Sequence, residues 1–270
     1  MFEAQQPEGT GPGRSSSAGF YDSLLGGSHH TAADRQLVEI ALRGTPHLRE
    51  WARQNRAFAL RAAQYCWAQG IRQFLDLGAG APAPEPGALH EVLPSARVVY
   101  VDSDPHVVSA LRETYAGQES LACVEADVLD PASVLTDPDT RRLIDASEPV
   151  AVLMIAVLHF VERDEDASRC VAGFREWMAP GSYLALSHGT IDPDTVVPPD
   201  RQFMARYAAT ATSLTPRSRE TIVEFFAGLE LVAPGVVYPP DWHPGSDDSP
   251  NARARRGSLA GVGRKRAATT

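Results

Sequence analysis

The sequence predicts an α/β fold with a mostly parallel, doubly wound sheet, on three observations. Short apolar runs at 71–76, 97–102, 121–125, 150–158 and 182–187 alternate with helical patterns, an order that right-handed crossovers turn into a parallel sheet covered by helices on both faces. The fourth run is apolar without alternation, as a strand buried on both sides must be. The first run leads into Asp76-Leu77-Gly78-Ala79-Gly80, a strand followed by a glycine loop, and open sheets of this kind bind ligands beyond such strand ends.

The chain has 270 residues, 43% of them hydrophobic, enough for one large core rather than two independent ones. A Gly-, Ser- and Pro-rich stretch over 1–18 reads as a disordered lead-in, 19–70 as helical, 71–266 as the sheet domain and 267–270 as a tail. In the helical part, Asp34 to Leu42 form one helical pattern. Thr45-Pro46 reads as a cap and first-turn proline for a longer helix that Gly70 stops, with a stripe of Leu48, Trp51, Ala52, Phe58, Ala59, Ala62 and Cys66. Asn55 falls on that stripe, so its amide is either satisfied by local backbone or directed at a ligand.

Beyond the first strand, helices are expected near Pro86, Pro105, Pro131 or Pro138, and Asp164, with Asp104, Asp130 and Asp137 as caps before proline. Two more helices follow at 201–212 and 216–228, the second capped by Thr215. Short strands at 229–232 and 258–262 then close the far edge of the sheet as an antiparallel pair.

Composition narrows the partners. A net charge of −9 and a pI near 5.4 repel a phosphate backbone, so no nucleic acid is expected; Arg253, Arg255, Arg256, Arg264, Lys265 and Arg266 read as a solvated loop and tail. Cys66, Cys123 and Cys170 are odd in number and far apart, which suits neither a disulfide framework nor a metal site. The longest apolar run, 150–161, is broken by His159 and falls short of the ~20 residues of a spanning helix. With no basic segment leading into an apolar run at the N-terminus, the expectation is a soluble cytoplasmic protein without a membrane partner.

The chemistry sits at the strand ends. Asp76 with Gly78 and Gly80 follows the first strand, Asp102 with Ser103 the second, Asp127 with Val128 the third, and Ala156 and His159 the fourth. Asp102 can accept both hydroxyls of a ribose. Asp127 is either a turn residue or an acceptor for an adenine amine. Gly78, Gly80 and Ala83 satisfy a loose dinucleotide pattern with an acid about twenty residues on. Proline argues against that reading, because Pro82, Pro84 and Pro86 lack the N–H groups a diphosphate requires. Asp76 would repel phosphate and favour a cation. S-adenosyl-L-methionine has an ammonium, a sulfonium, a ribose and an adenine but no phosphate, and fits each of these residues.

The chain also resembles a bacterial S-adenosylmethionine-dependent methyltransferase family with an N-terminal Tyr-Asp-x-Leu-Leu-Gly-Gly segment, here Tyr21 to Gly27. Further matching blocks are Ala33-Asp34-Arg35, Asn55-Arg56-Ala57-Phe58, 73–78, 98–104, 157–161, 180–190 and 214–231. The resemblance implies the Rossmann-like class I methyltransferase fold: a seven-stranded sheet with its last strand antiparallel, under a helical lid over 19–70. It implies Asp76, Gly78 and Gly80 at the methionine end of the cofactor, Asp102 at the ribose and Asp127 at the adenine. Tyr21, Gly26 and Gly27 would fold over the cofactor, although that segment also reads as a plain turn before a helix. His30 stands where such proteins more often carry Asn, and the loop 81–90 is shorter and richer in proline than usual.

Methyl transfer from a sulfonium needs mainly orientation, which contributes on the order of 7 to 11 kcal/mol. Where the acceptor must lose a proton, His159 is the candidate base, or else an orienting or packing histidine; His30 and Tyr21 are further catalytic candidates, His29 and His188 weaker ones, and Tyr207 and Trp242 candidate pocket walls. The expected reaction is methylation of O or N on a small molecule. Another use of the same cofactor, in cyclisation or aminocarboxypropyl transfer, and a non-catalytic cofactor-binding module are the alternatives. Oligomeric state is open, with a homodimer among the options.

Overall fold

The computed structural model describes residues 15–84, 87–190, 213–244 and 257–266. Three helices come first: α1 (Ser17–Leu25), α2 (Ala32–Gly44) and α3 (Leu48–Ala68). Then follow β1 (Gln73–Leu77), α4 (Leu89–Val92), β2 (Arg97–Asp102), α5 (Pro105–Thr114), β3 (Leu121–Glu125), α6 (Pro131–Thr136), α7 (Pro138–Leu143) and β4 (Ala151–Ile155). A 3-10 turn (Leu158–Phe160), α8 (Asp164–Trp177), β5 (Tyr183–Gly189), α9 (Arg219–Glu224), β6 (Glu230–Leu231) and β7 (Ser258–Arg264) complete the described elements, with a second 3-10 turn at Pro239–Asp241.

The seven strands form one sheet in the order β3-β2-β1-β4-β5-β7-β6. β1 to β5 are parallel to their neighbours, and β7 runs antiparallel to both β5 and β6. The order reverses between β1 and β4, which opens a crevice at their carboxyl ends. One core packs α6 to α9 on one face of the sheet, and a second packs α3 to α5 on the other. A third cluster, of Phe20, Leu24, Leu37, Val38, Ala41 and Ala52 with Phe160 and Leu214 against it, holds the N-terminal helices over the carboxyl end.

Local chemistry sets most boundaries. Asp104, Asp130 and Asp137 cap α5, α6 and α7, each before a proline whose missing N–H falls where no helical bond is needed. Where expectation and structure differ, a particular backbone bond or dihedral accounts for it. α3 starts at Leu48 with His47 at its cap, because the Thr45 amide bonds Ala41 O and closes α2. α9 starts after Ser218 rather than Thr215, since the Arg217 amide bonds Gly189 O and ties that segment to β5. β4 stops at Ile155 because Ala156 has φ +55, which breaks the extended run. α1 begins at Ser17, inside the stretch assigned to the lead-in, with the Ser16 side chain accepting the Gly19 amide.

The helix expected over 201–212, with Tyr207, and the basic residues Arg253, Arg255 and Arg256 lie outside the described residues. Trp242 is not a pocket wall. It is fully buried in the α3 face of the core, edge-on to Phe58 and Tyr65. Among the described residues, no helix is long and apolar enough to cross a membrane.

Candidate active site

The glycine loop after β1 spends its own amides. Gly78 N and Ala79 N both donate to Val101 O at 2.9 Å, and Gly80 N donates to Asp102 Oδ2 at 2.9 Å. None of these three N–H groups is left for a phosphate, and the next positions bring Pro82 and Pro84. Gly78 has φ +70, and a Cβ there would overlap Val157 Cγ2. The bare backbone at Gly78 therefore lets the turn after β4 close against the loop after β1. Ala156, left-handed at φ +55, aims the chain into that contact. Gly80 has φ +68 and nothing within 4 Å of where a Cβ would stand, so its open side faces the cleft.

That cleft, small and open to solvent, lies beside this loop and is lined by Ala18, Tyr21, Asp22 and Leu25 of α1, Arg56 of α3 and the 79–84 loop. Asp76, on the strand that leads into this loop, is 5% exposed, with no hydrogen bond to its carboxylate among the described residues. Burial pushes its pKa up to about 6; the Arg56 guanidinium pulls it down, and the Asp102 charge raises it further. Asp102 accepts from Gly80 N and, at 3.0 Å, from Asp104 N, yet its pKa is still raised by burial. Asp22 Oδ2 accepts from His29 N at 2.9 Å and faces His30 Nδ1 at 2.8 Å. One carboxylate, Asp22, and one guanidinium, Arg56, line the cleft, and Asp76 and Asp102 stand at the ends of the two strands beside its loop, so carboxylates outnumber cations there, a field that favours a cation.

The remaining candidates fall into place around this centre. Tyr21 lines the cleft, but its hydroxyl is engaged: it donates to Ala52 O and accepts from Asn55 Nδ2, both at 3.0 Å. Asn55 thus stands behind Tyr21, and its Oδ1 is buried without a partner. Gly26, at φ +81, ends α1, and Gly27 passes so close to the Asp22 carboxylate that any side chain would overlap it. Both act by shaping the lid turn. Asp127 is exposed, and its Oδ1 accepts from Leu129 N at 2.9 Å, a turn bond. Ser103 is exposed beside Asp102, and buried Val128 offers its carbonyl to Cys170 Sγ at 3.0 Å.

His159 departs from the expected base. The Gly189 amide points at its Nδ1 at 3.4 Å, and burial with His188 and Arg217 nearby lowers its pKa to about 3. A nitrogen that already accepts an N–H, on a ring so hard to protonate, is a poor proton acceptor.

Arg56 is the residue that sequence reasoning left without a role, having appeared only inside a matching block. Its Nη2 donates to Gly87 O, while its Nε is buried without a partner. The available signal was a cation one position after Asn55 on the helix stripe. Only the fold brings its charge close enough to act on Asp76.

The orphaned Arg56 Nε, the unpartnered Asp76 carboxylate and the open side of Gly80 fit a ligand that carries a carboxylate and cationic groups. The sequence profile of an S-adenosyl methyltransferase family matches residues 3–266. The chain belongs to that family. It is an S-adenosylmethionine-dependent methyltransferase with the class I fold. A methyltransferase structure from Thermobifida fusca is 37% identical over 94% of this chain and 96% of its own, with a TM-score of 0.86. A DUF574 family protein from Streptomyces avermitilis is also 37% identical, over 93% and 98%, at 0.86. The structure of TnmH, 20% identical over 84% of this chain and 61% of its own at 0.51, shares the fold. No curated protein matches the chain.

Proposed function

We propose that this methyltransferase acts on an oxygen or nitrogen of a small molecule, with the cofactor lying across the carboxyl ends of β1 and β2 under the α1–α2 turn. The observation that carries the reading is the expenditure of the Gly78, Ala79 and Gly80 amides inside the protein, beside carboxylates that lack partners or are strained by burial. Asp76 and Asp22 would face the cationic groups, Arg56 the carboxylate, and Asp102 the ribose through lone pairs that its two backbone bonds leave free. Tyr21, pinned by Ala52 and Asn55, would close the lid side as a rigid wall.

When bound, the cofactor supplies the activated methyl carbon. The chain's own contribution is to hold the two reactants in line, exclude water and neutralise charge. An acidic surface and a narrow cleft favour a small acceptor over nucleic acid. Incubating the protein with cofactor labelled in the methyl group and a metabolite extract tests this. A labelled small molecule together with S-adenosylhomocysteine is the expected result, whereas label confined to protein or RNA, or release of methylthioadenosine, would contradict it.

A further inference from the structure

A second polar cluster lies beyond the cofactor cleft, at the ends of β4 and β5. Arg217 is 3% exposed. Its Nε donates to Asp164 Oδ1 at 2.7 Å, Nη1 to Leu158 O at 2.9 Å and Nη2 to Val161 O at 2.8 Å. Leu158 and Val161 bracket the 3-10 turn that carries His159, so one guanidinium clamps that turn from both sides. Nη1 also meets His188 Nε2 at 2.9 Å. Arginine can only donate, so His188 Nε2 must accept and its proton must sit on Nδ1, which faces Gly189 O at 2.7 Å. A protonated His188 would aim an N–H at the guanidinium.

The same logic assigns His159. With the Gly189 amide directed at its Nδ1, the neutral ring carries its proton on Nε2. That nitrogen has no hydrogen bond among the described residues, and it is not one of the side-chain atoms sealed from solvent, although the residue as a whole is only 6% exposed. A donor fixed through the other ring nitrogen and reachable at this one is a place for a ligand. The turn sits where an acceptor would lie: Val157 touches the cofactor loop at Gly78, and Phe160 packs against the lid.

We propose that His159 is an acceptor-binding residue whose Nε2–H donates to an oxygen of the molecule to be methylated, and that Arg217 is the residue that positions it. The proposal rests on the methyltransferase reading above and narrows the acceptor to an oxygen compound such as a phenol, since an oxygen can accept the bond with one lone pair and attack with another, whereas a neutral amine, the form that attacks, has a single lone pair and would tie it up in the bond. His159 takes no proton. The acceptor's proton goes to solvent as the donor bond favours the oxyanion. The C–O bond then forms from the oxygen lone pair while the methyl–sulfur bond breaks, its electron pair staying on sulfur.

The test is nitrogen NMR of the full chain with labelled histidine, between pH 5 and 8, with signals assigned through His159→Gln and His188→Gln. His188 should carry its proton on Nδ1 and His159 on Nε2, and neither should titrate. A His159 protonated on Nδ1, or titrating in that range, overturns the proposal. With S-adenosylhomocysteine bound, catechol should shift the His159 Nε2–H signal and 1,2-diaminobenzene should not. A shift with the diamine, or with neither probe, overturns it as well. Arg217→Lys should leave His188 neutral but weaken catechol binding roughly tenfold, about one lost hydrogen bond, because lysine cannot span both carbonyls of the turn; unchanged affinity would refute the positioning role. Failure of S-adenosylhomocysteine to bind at all would instead strike the cofactor reading.

Discussion

The cofactor cleft and the Arg217 cluster are both buried and polar, and they are built on opposite terms. Around Arg217, each nitrogen of the guanidinium has an acceptor, and His188 is bonded through both ring nitrogens. Around the cleft, among the described residues, the Asp76 carboxylate makes no hydrogen bond and Arg56 Nε is buried without a hydrogen-bond partner. A closed network contributes to folding and resists change, whereas an open one lowers the stability of the empty protein and is completed by a ligand. The difference separates scaffold from site without reference to any relative.

The sharpest way to break this contrast is to remove one member of each set. Arg217→Met should destabilise the protein by about 3–5 kcal/mol, because it strands two carbonyls and His188 Nε2 in the interior. Chemical denaturation would measure it, and a loss below about 1 kcal/mol would show that the cluster is not closed as described.

Asp76→Asn should do the reverse. The folded protein holds the Asp76 proton more tightly than the unfolded chain, with a pKa of about 6 against 3.8. Stability from this group is therefore full below about pH 4, falls as pH rises to about 6, and stays reduced above it. At pH 7 the ionised side chain costs the cofactor-free protein up to about 3 kcal/mol, which Asn would recover. Denaturation should show a gain of about 1.5 kcal/mol at pH 5 that roughly doubles by pH 7 and vanishes below about pH 3, along with weaker cofactor binding.

A smaller effect separates backbone geometry from ligand contact. Gly80→Ala meets open space, so only its left-handed φ of +68 opposes the change, at about 1–2 kcal/mol. Cofactor affinity should fall by more than stability does, because the methyl group enters the cleft. Calorimetry beside thermal melts would show whether the two losses differ.

How much could be read from the sequence follows the range of the interactions. The caps at Asp104, Asp130 and Asp137 were legible because cap and proline are neighbours, and the strand-end positions of Asp76 and Asp102 because strand and loop are contiguous. The start of α9 at Arg219 was misplaced because the Arg217 amide is engaged by distant Gly189 O. The start of α3 at Leu48 was misplaced because the Thr45 amide still closes the preceding helix on Ala41 O, a local choice between two helices that propensity does not decide. Trp242 read as a pocket wall because nothing local reveals that it packs on α3. Arg56 and the His159 tautomer were illegible for the same reason: each depends on atoms brought from distant segments, Gly87 in one case and Gly189 in the other.

The central claim is that buried carboxylates at the strand ends, and not loop amides, select a cationic adenosyl ligand. Calorimetric titration of S-adenosylmethionine into the wild-type protein and Asp76→Asn, at pH 5 and pH 7.5, tests it most directly. With the Asp76 pKa at about 6, wild-type affinity should rise about tenfold over that span, while the variant binds more weakly and shows little of the rise. Equal affinities, or the same pH dependence in both proteins, would contradict the account.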